Sequence, residues 1–328
     1  MFIRPIWAPN SYNSRLKTHG EQAISPEIKP NDSRVSYSME RNRERRNLPA
    51  TPPPSAGVLA KYVLAYARTN NLAESRVRAW ISFMITAGTL ERASTSGQLR
   101  FVIKGGVALE LRLRNRARAT KDLDVALHDP EADLAISLER ALTNGTYQGF
   151  SFRKKREPLV LDNGVVNMEF AVSYRGGAWC SISIDVARKE PGENEIEWLP
   201  AISLAESFGV TGPDSLPCLP LRQHVAQKLH GMTLPPRPGK RNERFRDLID
   251  LLLMEALIDD YSDLFTACEQ LFNNRGTHHW PPTLQLPEHW IEPINRLIRE
   301  LDLPITDARA GLARVREFLD RICSSGIQ

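Results

Sequence analysis

Asp122 and Asp124 stand one residue apart in the segment DLDVAL, residues 122–127. Its alternation of polar and apolar positions predicts a strand. On a strand, residues i and i+2 share a face. The two carboxylates therefore point the same way, and Leu123 and Val125 point into the core. Parallel carboxylates at close range repel each other unless a cation lies between them. Mg²⁺ suits such a pair, because it takes oxygen ligands and bridges carboxylates to phosphate oxygens. An isolated Asp-x-Asp is far more often a solvated strand face, so the surroundings decide.

Four other groups of residues could belong to the same chemistry. In Cys180–Val186, Ser181, Ser183 and Asp185 share the polar face of a second alternating strand, expected beside the first. Asp185 is either a third ligand, a base for an attacking hydroxyl, or a solvent-facing carboxylate. Gly105-Gly106 ends one strand and opens a helix, a junction whose backbone N–H groups can cradle phosphate. A plain tight turn would use the same glycines. Arg112, Arg114, Arg116, Arg118 and Lys121 follow, and triphosphate or RNA could use several of them. In residues 221–232, Leu221, Val225, Leu229 and Met232 form a buried stripe, and Lys228 falls about 55° from its centre. A lysine there must snorkel or meet an anion; removing it is expected to weaken anion binding and spare the fold. In residues 244–254, Phe245, Leu248, Ile249 and Leu252 bury one face, while Arg246, Asp247 and Asp250 project from the rest. The loop before it, with Arg237, Lys240, Arg241 and Arg244, is basic and suited to phosphate.

The elements that must position these residues follow from periodicity. Ser55 is a helix N-cap candidate, and Val58, Leu59, Tyr62, Val63 and Tyr66 form a helical stripe after it. A second helix is expected over 73–86. Strands are expected at 101–103, 122–127 and 180–186. Two more, at 159–161 and 165–172, flank the turn Asp162-Asn163-Gly164. Helices are expected at 107–114 and 130–142. Beyond about Pro213 the chain reads as helical, at 220–232, 243–258, 260–273, 288–301 and 306–323. The fold class is α/β: a mixed-sheet domain over 55–212 with an N-terminal helical cap, a helical lobe over 213–328, and a cleft between them.

The chain's 328 residues include 41% apolar ones, enough for a sizeable core. The formal net charge is +4. Residues 1–54 hold nine Lys/Arg against five Asp/Glu, so the rest, 34 against 34, is neutral. A polyanion site on the folded part must then be a local patch. The first 54 residues carry eight prolines and the run Arg41, Arg43, Arg45, Arg46. They are expected to be a disordered basic tail, a candidate RNA contact. The four cysteines, Cys180, Cys218, Cys268 and Cys323, lie too far apart for metal-binding pairs and are expected to be free thiols. No apolar run is long enough for a transmembrane helix or a signal-peptide core, which points to the cytoplasm and away from membranes.

These blocks, in this order, resemble the AbiEii/AbiGii family of nucleotidyltransferase toxins of type IV toxin–antitoxin systems, with its MenT-type relatives. The Gly-Gly turn followed by Asp-x-Asp is matched by Lys104-Gly105-Gly106 and Asp122-Leu123-Asp124. The usual Ser or Thr two residues before the first aspartate is Thr120. A helix with a Lys-Leu pair is matched at Gln227-Lys228-Leu229-His230. An Arg-x-x-Asp-x-x-Asp-Leu helix is matched by Arg244, Asp247, Asp250 and Leu251. One departure is Val107, where the family commonly has Ser or Thr. The resemblance implies a polymerase-β-like nucleotidyltransferase fold with a helical C-terminal lobe. It implies an NTP donor bound with Mg²⁺, for some members the 3′ end of tRNA as acceptor, and an antitoxin encoded nearby. It assigns Asp122 and Asp124 to the metal, and Lys104, Gly105, Gly106, Thr120 and Lys228 to the nucleotide. Asp122, Asp124, Asp185, Lys228 and Asp247 form the expected catalytic set. A non-catalytic RNA-binding regulator and a metal-dependent nuclease remain alternatives on the same fold.

Overall fold

A computed structural model describes residues 51–95, 100–113, 120–201, 204–236 and 238–326. Most of the expected basic tail, together with Arg114, Arg116, Arg118 and Arg237, lies outside the described residues. The described residues begin just before the expected helix. Pro53 is buried and its carbonyl accepts a 2.8 Å bond from Tyr174 Oη. Ser55 then caps α1 (Ala56–Thr69) by accepting from the Val58 N–H. The next helix, α2 (Glu74–Thr95), runs about two turns beyond its expected end. Its Val77, Trp80, Ile81, Met84 and Ile85 are all buried.

The sheet has eight strands: β1 (Phe101–Ile103), β2 (Asp122–Leu127), β3 (Phe150–Lys154), β4 (Leu159–Val160), β5 (Val166–Tyr174), β6 (Gly177–Arg188), β7 (Glu197–Pro200) and β8 (Ser215–Cys218). Its order is β3-β5-β6-β2-β1-β8-β7, with β4 also paired to β5. β2 runs parallel to β6, and β1 parallel to β8; the other pairs are antiparallel. β3, β7 and β8 were not expected, and β8 carries the sheet past the expected boundary at 212 as far as Cys218. All three are short, five residues in β3 and four each in β7 and β8, too few for alternation to stand out, although Phe150 and Phe152 of β3 do alternate into the core. The turn at Asp162-Asn163-Gly164 forms as expected, with Gly164 in the left-handed region at φ 78°.

Two helices connect strands within the sheet domain, α3 (Gly105–Leu113) and α4 (Leu134–Thr143). The helical lobe comprises α5 (Leu221–Thr233), α6 (Phe245–Glu255), α7 (Ser262–Arg275), α8 (Glu288–Glu300) and α9 (Ala308–Ser325). Each of its helices falls on an expected segment. The described residues have two hydrophobic cores. One joins the sheet to α1, α2 and α4; the other fills the helical lobe. α3 serves both: Val107, Ala108 and Leu111 enter the sheet core, and Leu109 and Leu113 enter the lobe core. The glycine-led helix is thereby packed against both lobes. The four cysteines are free thiols, as expected, and Cys218 and Cys268 are fully buried. Among the described residues, no helix is long and apolar enough to cross a membrane.

Candidate active site

The register across the sheet assembles the carboxylates. Asp124 pairs with Asp185 on β6, and Asp185 pairs in turn with Asn167 on β5. Directly opposed residues of neighbouring strands share a face, so Asn167, Asp185 and Asp124 form one rung. Asp122 lies one pleat away, opposite Ser183. The strand expected to flank β2 is therefore its neighbour. Asp185 is held from behind, because Asn167 Nδ2 donates to Asp185 Oδ1 at 2.6 Å and to Ser183 Oγ at 2.9 Å.

Burial pushes the Asp124 carboxyl above its ordinary range; Asp185 and Asp122 push it the same way, and Lys228 and Arg244 oppose them. Burial likewise raises Asp185, Asp122 adds to it, and the bond from Asn167 works against both. Three carboxylates of one sign thus crowd a partly desolvated spot, and a divalent cation is the ligand that would relieve them. Among the described residues, no three acidic, histidine or cysteine side chains converge closely enough to hold a metal by themselves. A two-carboxylate site completed by phosphate oxygens and water, the usual way Mg²⁺ is bound in such enzymes, is compatible with that. Asp122 and Asp124 are the donors that fit.

The glycines belong to the same construction. Gly105 has φ 58°, a left-handed conformation natural to glycine, and a Cβ there would collide with the Asp124 carboxylate. A Cβ at Gly106 would lie 2.5 Å from the Thr120 hydroxyl. Thr120 Oγ1 itself donates to the Asp122 carbonyl at 3.1 Å. The N-terminus of α3, where the first backbone N–H groups have no helical acceptor, is consequently packed against Asp124 and Thr120. Val107 is fully buried in the sheet core.

From the other lobe, Lys228 on α5 reaches two buried carboxylates of α6. Its Nζ lies 2.8 Å from Asp247 Oδ1 and 2.7 Å from Asp250 Oδ2. Burial works to lower the lysine's pKa, but Asp247 and Asp250 outweigh it and the net shift is upward. Arg244 also holds Asp247, Nε to Oδ2 at 2.5 Å. Asp247 and Asp250 were expected to project away from the buried face of their helix. They are 3% and 0% exposed because the lysine of α5 neutralises them there.

Three sequence candidates are engaged elsewhere. The Lys104 ammonium lies 3.2 Å from Glu193 and 3.8 Å from Glu190. Those carboxylates also meet Gln227 and Arg275, so Lys104 is part of the network that joins the lobes. Arg112 is bound to Glu197 and to the Leu219 carbonyl. In the basic loop, Lys240 forms an exposed 2.8 Å pair with Asp162 at the hairpin turn. Asn167 had no signal in the sequence, since only strand register places its amide beside Asp185.

The comparisons agree with this architecture. Among solved structures, MenT4, a nucleotidyltransferase toxin from Mycobacterium tuberculosis H37Rv, superposes with a TM-score of 0.52 at 20% identity, covering 82% of this chain and 90% of that one. A nucleotidyltransferase-like antigenic protein from Paracoccidioides brasiliensis matches at 17% identity with a TM-score of 0.36, over 59% of this chain and 89% of that one. The antibiotic-resistance factor ANT(2″)-Ia matches at 14% identity with a TM-score of 0.34, over 60% of this chain and 92% of that one. No curated protein matches the sequence significantly. The fold is that of the polymerase-β-like nucleotidyltransferases, with a mixed sheet and a helical C-terminal lobe. Residues 89–321, well over half of the sequence, match the profile described as nucleotidyl transferase AbiEii toxin, type IV toxin–antitoxin system, and the chain belongs to that family.

Proposed function

We propose that this toxin-family transferase moves a nucleotide from a metal-bound nucleoside triphosphate onto a hydroxyl of an RNA acceptor, with the 3′ end of tRNA as the leading candidate. The observation that carries the reading is the rung Asp124–Asp185–Asn167 beside the glycine-led N-terminus of α3. A cluster of carboxylates next to a phosphate cradle is what nucleotidyl transfer needs, and a structural ion pair has no use for it.

Asp122 and Asp124 would hold Mg²⁺, which when bound neutralises charge on the triphosphate and on the departing pyrophosphate. The N-terminal N–H groups of α3 bind phosphate oxygens, joined by the Thr120 hydroxyl when it turns from the Asp122 carbonyl, and Gly105 and Gly106 make room for Asp124 and Thr120 beside that N-terminus. Asp185 accepts the proton of the acceptor hydroxyl; its raised pKa suits a base, and Asn167 occupies only one of its oxygens. The hydroxyl oxygen forms a bond to the α-phosphorus, the bond from that phosphorus to the β-phosphate oxygen breaks, and pyrophosphate leaves. Lys228 and Arg244 supply positive field from the helical lobe, and Asp247 positions both. The Lys104 side chain is left out of the nucleotide contacts because Glu193 and Glu190 hold it. A cognate antitoxin would act by covering this cleft or by suppressing production of the protein.

The test is incubation with α-labelled nucleoside triphosphates, Mg²⁺ and total RNA. Label in RNA of unchanged or slightly greater length supports the reading. Shortened RNA would mean a nuclease, and a mobility shift without label a binding protein; either result overturns it.

A further inference from the structure

The helical lobe turns two cations toward the carboxylates, and they differ in how much of each is already engaged. Lys228 is enclosed: its side chain is 9% exposed, and its ammonium lies between Asp247 and Asp250, themselves 4% and 0% exposed. Its ammonium is already held by both carboxylates, so a triphosphate brought to Lys228 would have to compete with them. Arg244 is different. Its Nε holds Asp247, yet its side chain is 54% exposed. A guanidinium carries five N–H donors in a planar fork, and this contact uses one of them. A Cβ at residue 231 would stand 2.8 Å from Asp247 Oδ2 and 2.9 and 3.0 Å from Arg244 Nη2 and Nε, so the ion pair of Arg244 and Asp247 lies across α5 at Gly231. Gly231 sits in the last turn of α5, where a glycine is a weak helix former, and here its missing Cβ leaves room for that pair. The charge of Arg244 is felt at Asp124, where it works to lower the carboxyl.

We propose that Arg244, aimed by Asp247 and seated on Gly231, is the helical lobe's direct phosphate ligand, gripping non-bridging oxygens of the triphosphate with its free fork. Lys228 then acts through Asp247, as a positioning residue. An arginine suits this place because its fork matches the geometry of phosphate oxygens, which a lysine cannot reproduce. The inference rests on the transferase reading above, and it separates roles that the sequence alone runs together.

The test reads binding without turnover. Isothermal calorimetry with Mg²⁺ measures the affinity of the wild-type protein, Arg244→Ala, Arg244→Lys and Gly231→Ala for an α,β-methylene nucleoside triphosphate and for inorganic tripolyphosphate, with melting temperatures recorded alongside. Loss of a charge-assisted contact should weaken both ligands in Arg244→Ala by about tenfold or more. Arg244→Lys should restore only part of that. Gly231→Ala should weaken both ligands while Arg244 is present and add little in the Arg244→Ala background, because the two changes break one contact. Equal affinities in wild type and Arg244→Ala, or fully additive effects of the two substitutions, would overturn the assignment. If the wild type itself binds neither ligand, the transferase reading fails first and takes the assignment with it.

Discussion

The two lobes treat charge in opposite ways. On the sheet, Asp122, Asp124 and Asp185 gather like charges, and burial holds the Asp124 and Asp185 carboxyls above their ordinary range. In the helical lobe, Lys228, Arg244, Asp247 and Asp250 are just as crowded, but two positive charges meet two negative ones at 2.5 to 2.8 Å. A balanced cluster needs no bound cation to relieve it and fixes the placement of α5 against α6, with the exposed part of Arg244 left over for a ligand. An unbalanced one stores repulsion that only a bound cation or a proton relieves. Substitution should therefore harm chemistry in the first cluster, and folding at the buried Lys228, Asp247 and Asp250 of the second.

The strongest way to break that distinction is Asp124→Asn. Removing one metal ligand should lower the transfer rate on the order of a thousandfold or more. The protein should melt at the same temperature or slightly higher, since repulsion and desolvation are relieved. A marked loss of stability with activity retained would make Asp124 a structural residue. Lys228→Ala is the counterpart. It leaves Asp247 and Asp250 buried without the ammonium between them, and should destabilise the protein by about 3–5 kcal/mol in urea unfolding. This reverses the expectation from sequence that the substitution would spare the fold. Adding Asp250→Asn to Lys228→Ala should recover part of the loss.

Acid sharpens the comparison further. His224 lies on α5 one turn before Lys228, fully buried, and burial holds it neutral, well below its ordinary pKa. Burial also lowers His230 to about 3 and His128 to about 4. Below about pH 6.5 the unfolded chain takes up protons at these histidines and the folded chain does not. Stability is therefore full above that value and should fall steadily as the pH drops toward 4. A urea midpoint that stays level from pH 7 to 4.5 would contradict the buried neutral imidazoles. The smallest effect is expected at Asn167. Asn167→Ala removes the 2.6 Å bond to Asp185 and should lower kcat by about tenfold, with KM for the triphosphate unchanged. A shift in KM alone would place Asn167 among the nucleotide contacts.

What was legible in the sequence was local. Strand alternation put Asp122 with Asp124, and Asp185 with Ser183, because side-chain direction along a strand is set by the backbone itself. The turn at Asp162-Asn163-Gly164, the cap at Ser55 and the five helices of the C-terminal lobe came from signals within a few residues of each other. The Gly-Gly turn, Asp-x-Asp, the Lys-Leu helix and the Arg-x-x-Asp-x-x-Asp-Leu helix, taken together and in that order, were enough to indicate the family. What escaped was settled between distant segments. β3, β7 and β8 take their places by pairing with strands elsewhere in the chain; β7 and β8 are four residues each without clear alternation, and the Phe150–Phe152 alternation of β3 spans only five residues. Asp247 and Asp250 look solvated on a helical wheel, but a lysine 19 residues earlier buries them. Lys104 looks like part of a phosphate turn, but Glu193, 89 residues later, takes its ammonium. Asn167 finds Asp185, and Arg244 finds Gly231, only through the register of the sheet and the docking of α5 on α6. The sequence by itself determined which residues could do chemistry and which way each faces along its own element. The tertiary structure alone decided which charges are compensated, because Coulomb energy and desolvation depend on distance through space and not on distance along the chain.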